Sequence, residues 1–140
     1  MSIVAIISFP AFSQGTSKHS AFLAAVDDTQ FETTACLAYY YHGKQCFFAR
    51  LPADRKKDHE TTITVLTSRA FELGSKLGMT EDAMLSRLKI KLEEQRSLMS
   101  GSCTNFDSLF ARHAQRCKQI TEDPESLLKE YLEKHLRTNN

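Results

Sequence analysis

From residue 29 onward, apolar side chains return at intervals of three and four, the spacing that gathers one face of an α-helix. A first segment, about Thr29 to Phe48, sets Cys36, Tyr40, Gly43 and Phe47 on one face. It stops at Leu51-Pro52, because the residue before a proline is pushed out of the helical region. A second segment, about Asp54 to Leu77, carries Ile63, Leu66, Ala70, Leu73 and Leu77, with Gly78 free to take the left-handed conformation that closes a last turn. Thr80 is predicted to cap a third helix, with Glu81 and Asp82 at the positive end of its dipole. Leu85, Leu88, Leu92 and Met99 give that helix its inner face, and Ser100-Gly101-Ser102 ends it.

The fourth segment has the most regular stripe, Cys103, Phe106, Phe110, His113, Cys117 and Ile120, with Thr104 or Asn105 as its cap. Asp123-Pro124 opens a fifth, since proline suits the first helical position, where its missing N–H is not needed. Leu128, Tyr131, Leu132 and Leu136 form its apolar side.

Five helical periods with short connections predict an all-α fold, an antiparallel bundle of four to five helices. The single helical domain is expected over 29–137, preceded by a flexible N-terminal segment over 14–28 and followed by a tail at 138–140. Strand character is confined to Thr61-Thr62-Ile63-Thr64-Val65 and Cys46-Phe47-Phe48, where β-branched or aromatic residues cluster.

The four cysteines add a constraint to this pattern. At 1.5 Å per residue, Cys36 and Cys46 lie about 15 Å apart along one helix and Cys103 and Cys117 about 21 Å apart along another. A disulfide needs Cα atoms within about 7 Å, so neither pair can close within its own helix. Antiparallel packing of the first and fourth helices brings the start of one to the end of the other and predicts Cys36 with Cys117 and Cys46 with Cys103. Four cysteines allow three pairings, and helicity plus topology selects this one. The same spacing argues against zinc, whose thiolates must converge around one ion. Only His113 and Cys117, one helical turn apart, remain as a candidate partial metal site, and a core histidine beside a structural sulfur is the plainer reading.

At 140 residues the chain can bury one core and not two. Charge is balanced, 18 Lys+Arg against 17 Asp+Glu, and no like-charge run exceeds Arg55-Lys56-Lys57, which Asp58 and Glu60 follow at once. Nothing in this distribution fits a nucleic acid partner. Residues 1–13 resemble an export signal: Ile3 to Ile7 and Phe9 are apolar, Pro10 follows, and Ala11 and Ser13 supply small residues at the −3 and −1 positions before Gln14. The segment departs from the usual pattern in lacking a positive start, the first lysine being Lys18. Together with the cysteine count it predicts a periplasmic or secreted protein with no membrane span in the mature chain.

No nucleophile elbow, phosphate loop, His-Glu-x-x-His or EF-hand loop occurs. Asp58-His59-Glu60 is the densest acid–base cluster, yet adjacent helical residues point about 100° apart and cannot converge on one atom. A non-enzymatic chain that needs no cofactor is therefore expected. Tyr39-Tyr40-Tyr41-His42 covers most of a helix circumference, so part of it faces outward; Tyr39, Tyr41 and His42 are the candidate contacts for a protein partner. The leading expectation is a small exported protein that binds another protein in the cell envelope, of inhibitor, immunity or accessory type. The alternative is a bundle that carries a small ligand, metal or cofactor between its helices. An exposed aromatic patch at Tyr39 to Tyr41 favours the first, and an internal cavity reaching His113 the second.

Overall fold

A computed structural model describes residues 13–138, which form five α-helices and no strand. They are α1 Ser13–Phe47, α2 Ala53–Lys76, α3 Glu81–Leu98, α4 Phe106–Glu122 and α5 Pro124–Thr138. Short 3-10 turns, Phe48–Arg50 and Cys103–Asn105, precede α2 and α4. The expected export signal, apart from Ser13, lies outside the described residues, as do the last two residues of the expected tail.

α1 is the axis of the molecule, 35 residues and about 52 Å long, and every other helix packs against it. α2 runs back along it, as the pairs His59 with Tyr40, Glu60 with Lys44 and Ala70 with Gln30 show. α3 turns forward again, with Arg87 meeting Asp27 and Gln95 meeting Ala35. α4 and α5 both oppose α1: α4 lies along its C-terminal half through the two disulfides, and α5 lies further back through Tyr131 with Glu32 and His135 with Asp28. α5 is not a straight continuation of α4: Arg116 holds Glu130, fourteen residues on, so the chain bends at Asp123-Pro124 and brings α5 against α4 as well as α1.

This arrangement corrects the expected start of the helical domain. Residues 14–28 are helical, not a flexible segment, and Ala21, Ala25 and Val26 are fully buried. A helix surrounded by four neighbours keeps only a narrow wet edge, at Asp27, Phe31, Tyr41 and Gln45, so it lacks the one-sided apolar stripe that marks a surface helix. Its buried polar residues satisfy themselves: the hydroxyls of Thr29, Thr33 and Thr34 donate to the carbonyls of Ala25, Thr29 and Gln30 one turn back, at 2.7, 2.7 and 2.8 Å. The same device carries the β-branched run in α2, where Thr62 and Thr64 donate to the Asp58 and Glu60 carbonyls.

The helix ends follow local chemistry. Gly78 adopts φ +71° and closes a Schellman turn, with the Met79 and Gly78 amides donating to the Gly74 and Ser75 carbonyls. The Thr80 hydroxyl accepts from the Ala83 amide, and the Asp123 carboxylate from the Ser126 amide. At the end of α3 a serine, Ser100, takes the left-handed position ahead of Gly101.

Three inner faces differ from the expected ones. α3 buries Met84, Lys91, Gln95 and Met99, while Leu85 points outward; α4 buries Leu109 where Phe110 was expected, and Phe110 is exposed. In α5 Leu127 is the fully buried leucine, while Leu128 is only partly covered. Two core clusters result, Cys36, Leu37, Leu66, Cys117, Ile120 and Leu127 at one level, Cys46, Met99, Phe106 and Leu109 at the other. Each contains one disulfide, with Cα–Cα separations of 5.3 Å for Cys36–Cys117 and 5.4 Å for Cys46–Cys103.

Candidate functional site

α3 and α4 both lean on α1 and touch each other little, which leaves a cleft of about 670 Å³ between them. That volume is in the range of sites for small organic ligands. Phe31, Glu32, Ala35 and Cys36 of α1 form its floor. Lys91, Gln95 and Leu98 stand on the α3 side, and Arg112, His113 and Arg116 on the α4 side. The α3 contributors lie in one helical register, four and three residues apart, so the twist that presses Gln95 onto α1 also turns Lys91 and Leu98 toward the opening.

Gln95 is 2 % exposed. Its Nε2 donates to the Ala35 carbonyl at 2.7 Å, and its Oε1 is buried with no hydrogen-bond partner among the described residues. An unpaired buried acceptor costs about 1–3 kcal/mol, and this oxygen lies behind the cleft surface, closed to solvent. Lys91 is also buried; its ammonium lies 3.7 Å from the centre of the Phe31 ring and 2.7 Å from Glu94.

Arg116 closes the end of the cleft. Its Nε donates to Glu32 at 2.7 Å, and its two terminal nitrogens hold Glu130 at 3.0 Å each. The Tyr131 hydroxyl donates to the other oxygen of Glu32. Burial first, and the bond to Glu32 second, push the Tyr131 phenol up to about 12. Arg112 makes no ion pair among the described residues. His113 is held below the usual histidine range, first by burial and then by the Arg112 and Lys91 charges, with Glu32 opposing; it is neutral near pH 7.

The tyrosine run divides between inside and outside. Tyr39 stacks on Phe106 at 5.6 Å between ring centres and lies 6.0 Å from His113, and Tyr40 meets His59 edge-on. Both rings line a second, smaller hollow of about 270 Å³ with Gly43 and Phe47. Burial raises both phenols above their ordinary value. Tyr41 is exposed, at 38 %. His42, expected as an outward contact, is instead buried at 5 %, with Nε2 3.0 Å from the Leu92 carbonyl. On a helix with so narrow an exposed edge, the position after Tyr41 already turns back toward α3. His59 serves in the same way, its Nε2 2.8 Å from the Tyr40 carbonyl, so the Asp58-His59-Glu60 cluster ties α2 to α1.

The candidate metal pair His113 and Cys117 is not available as a pair, because the Cys117 sulfur is bonded to Cys36 and has no thiolate to offer. Among the described residues no group of three or more His, Cys, Asp or Glu is placed to hold a metal ion, and no helix is long and apolar enough to cross a membrane.

Sequence reasoning identified His113 and missed Lys91, Gln95 and Arg112. The interval Met84, Leu88, Lys91, Gln95 is itself a helical register, and following it through polar residues would have found two of the three. Compared with known protein families, with characterised proteins and with solved structures, the chain matches none.

Proposed function

We propose that this chain is a non-catalytic binding protein whose α3–α4 cleft holds a small organic molecule. The observation that carries this reading is the cleft itself, about 670 Å³ with Phe31 and Ala35 on its floor, Leu98 on one wall and Arg112 and His113 on the other. Apolar and charged groups also alternate around the opening, Phe31 and Leu98 beside Lys91 and Arg112, as in sites where a hydrophobic body is oriented by a few polar contacts. Of the polar residues that converge there, none is set as a nucleophile with an adjacent base, which supports binding without turnover.

The cleft reading displaces the protein-partner reading as the stronger one. Of Tyr39, Tyr41 and His42 only Tyr41 lies open, and of the exposed apolar residues Phe31 and Leu98 belong to the cleft, while Val65, Ile90 and Phe110 sit on three different helices. Singly scattered apolar side chains are ordinary on a soluble surface. Two disulfides are compatible with an oxidising compartment, and an export signal over residues 1–13 would place the carrier outside the cytoplasm, in the periplasm or secreted.

Native mass spectrometry of the protein recovered undenatured from its own host tests the proposal. A non-covalent adduct of a few hundred daltons, lost in a Gln95→Leu, Leu98→Glu double variant that still unfolds cooperatively, is the expected result. Ligand-free protein whose amide resonances at Phe31, Ala35 and Leu98 respond to no small-molecule mixture extracted from that host would overturn it.

A further inference from the structure

Given that cleft reading, the charges around the opening narrow the kind of molecule. Three cations, Lys91, Arg112 and Arg116, and two carboxylates, Glu32 and Glu94, stand around it, and His113 is neutral. The cations are not equivalent. Lys91 is committed to Glu94 and to the Phe31 ring, and Arg116 to Glu32, Glu130 and Gln119. Arg112 has no ion pair among the described residues, and its residue lies exposed at the rim, one position from His113. A guanidinium presents paired N–H donors that match a carboxylate, and its own solvation is weak enough that such a contact displaces little.

The floor has the opposite demand. Phe31 offers a ring and Ala35 is apolar, Leu98 stands beside them on the wall, and the one charged floor residue, Glu32, is an acceptor already paired with Arg116 and Tyr131, which repels an anion. An anionic group is therefore disfavoured deep in the cleft and favoured at the rim. We infer that the cleft takes an amphiphilic organic acid, its apolar body over Phe31, Ala35 and Leu98 and its carboxylate at Arg112.

Three probes of equal chain length separate the possibilities: octanoate, octan-1-ol and octyltrimethylammonium, each titrated into the folded, disulfide-bonded chain and followed by amide chemical shifts. The expected result is that octanoate shifts Phe31, Ala35, Gln95 and Leu98 and binds about tenfold more tightly than octan-1-ol, with the cation weakest. Arg112→Gln, at an exposed position where folding is unaffected, should bring octanoate down to the level of octan-1-ol, and Arg112→Lys should restore most of the difference. Octan-1-ol binding the same residues as tightly as octanoate would overturn the acid while leaving the cleft as a ligand site. A preference for octanoate that survives in Arg112→Gln would overturn the role of Arg112. Silence of the cleft resonances toward all three probes would overturn both the acid and the cleft reading.

Discussion

Arg116 of α4 and Glu32 of α1 meet at 2.7 Å one helical turn from the Cys36–Cys117 disulfide, and Glu130 and Tyr131 of α5 close on the same two side chains. Three helices are thus joined at one polar point, and each acceptor oxygen of Glu32 has its own donor. Replacing Arg116 with Met leaves Glu32, whose side chain is 28 % exposed, with the Tyr131 hydroxyl as its one remaining donor. The expected loss is about 1–3 kcal/mol, read as a lower urea midpoint at unchanged slope. Glu130→Gln, at a half-exposed carboxylate, should cost less than about 1 kcal/mol.

The Tyr131 phenol, pushed up to about 12 from 10.0, is held protonated in the folded state more firmly than in the unfolded chain. Its contribution to stability is full below pH 10 and is lost as pH rises from 10 to 12. Tyr131→Phe should therefore flatten part of the alkaline fall in a stability-against-pH curve. Burial raises Tyr39 and Tyr40 in the same direction, so a shallower decline should remain; an unchanged decline in the variant would contradict the assignment.

The two disulfides differ in access. Cys36 and Cys117 are 2 % and 0 % exposed, whereas Cys103 lies open in the turn that precedes α4. Thiol exchange requires a thiolate to reach a sulfur, so limited reduction followed by alkylation should label Cys46 and Cys103 before Cys36 and Cys117. The loops closed span 57 and 81 residues, and the chain-entropy difference between them is only about 0.3 kcal/mol. A larger destabilisation by the Cys36→Ala, Cys117→Ala pair than by the Cys46→Ala, Cys103→Ala pair would reflect burial rather than loop length.

Gly74 marks the closest approach of α2 and α3: a β-carbon there would stand 2.2 Å from the Met84 sulfur and 2.8 Å from its Cγ. Alanine in a helix interior is ordinarily worth about 1 kcal/mol over glycine. Gly74→Ala should nevertheless destabilise, by about 1–2 kcal/mol net, because Met84 is itself buried and must move. Adding Met84→Ala to it should recover part of the loss, which a thermal unfolding series on the single and double variants would measure.

The fold was legible in the sequence wherever a helix had one wet face and one dry one. The pairing of the cysteines followed from their spacing because helicity forbids the local bonds and antiparallel packing permits only one of the others. α1 was half hidden, since residues such as Thr29, Gln30 and Thr33 are buried yet polar, and their hydrogen bonds to backbone carbonyls leave no apolar stripe. In α3 the pattern misled, because Lys91 and Gln95 take inner positions while Leu85 and Ile90 face outward. The cleft had no signature of its own. It is the space that two helices leave when both rest on a third, and no residue in it belongs to a short motif.

The disulfides are nested, Cys46–Cys103 inside Cys36–Cys117, and α2, α3 and their connections lie wholly within the inner loop. A single peptide-bond cut anywhere between Cys36 and Cys117 therefore leaves one covalent molecule. A protease that nicks the turn at Gly78 or the one at Gly101 yields a protein heavier by one water, with α1 still fastened to α4 and both walls of the cleft in place. Between Cys36 and Cys117, only a second cut inside the inner loop, or reduction, then lets a fragment leave.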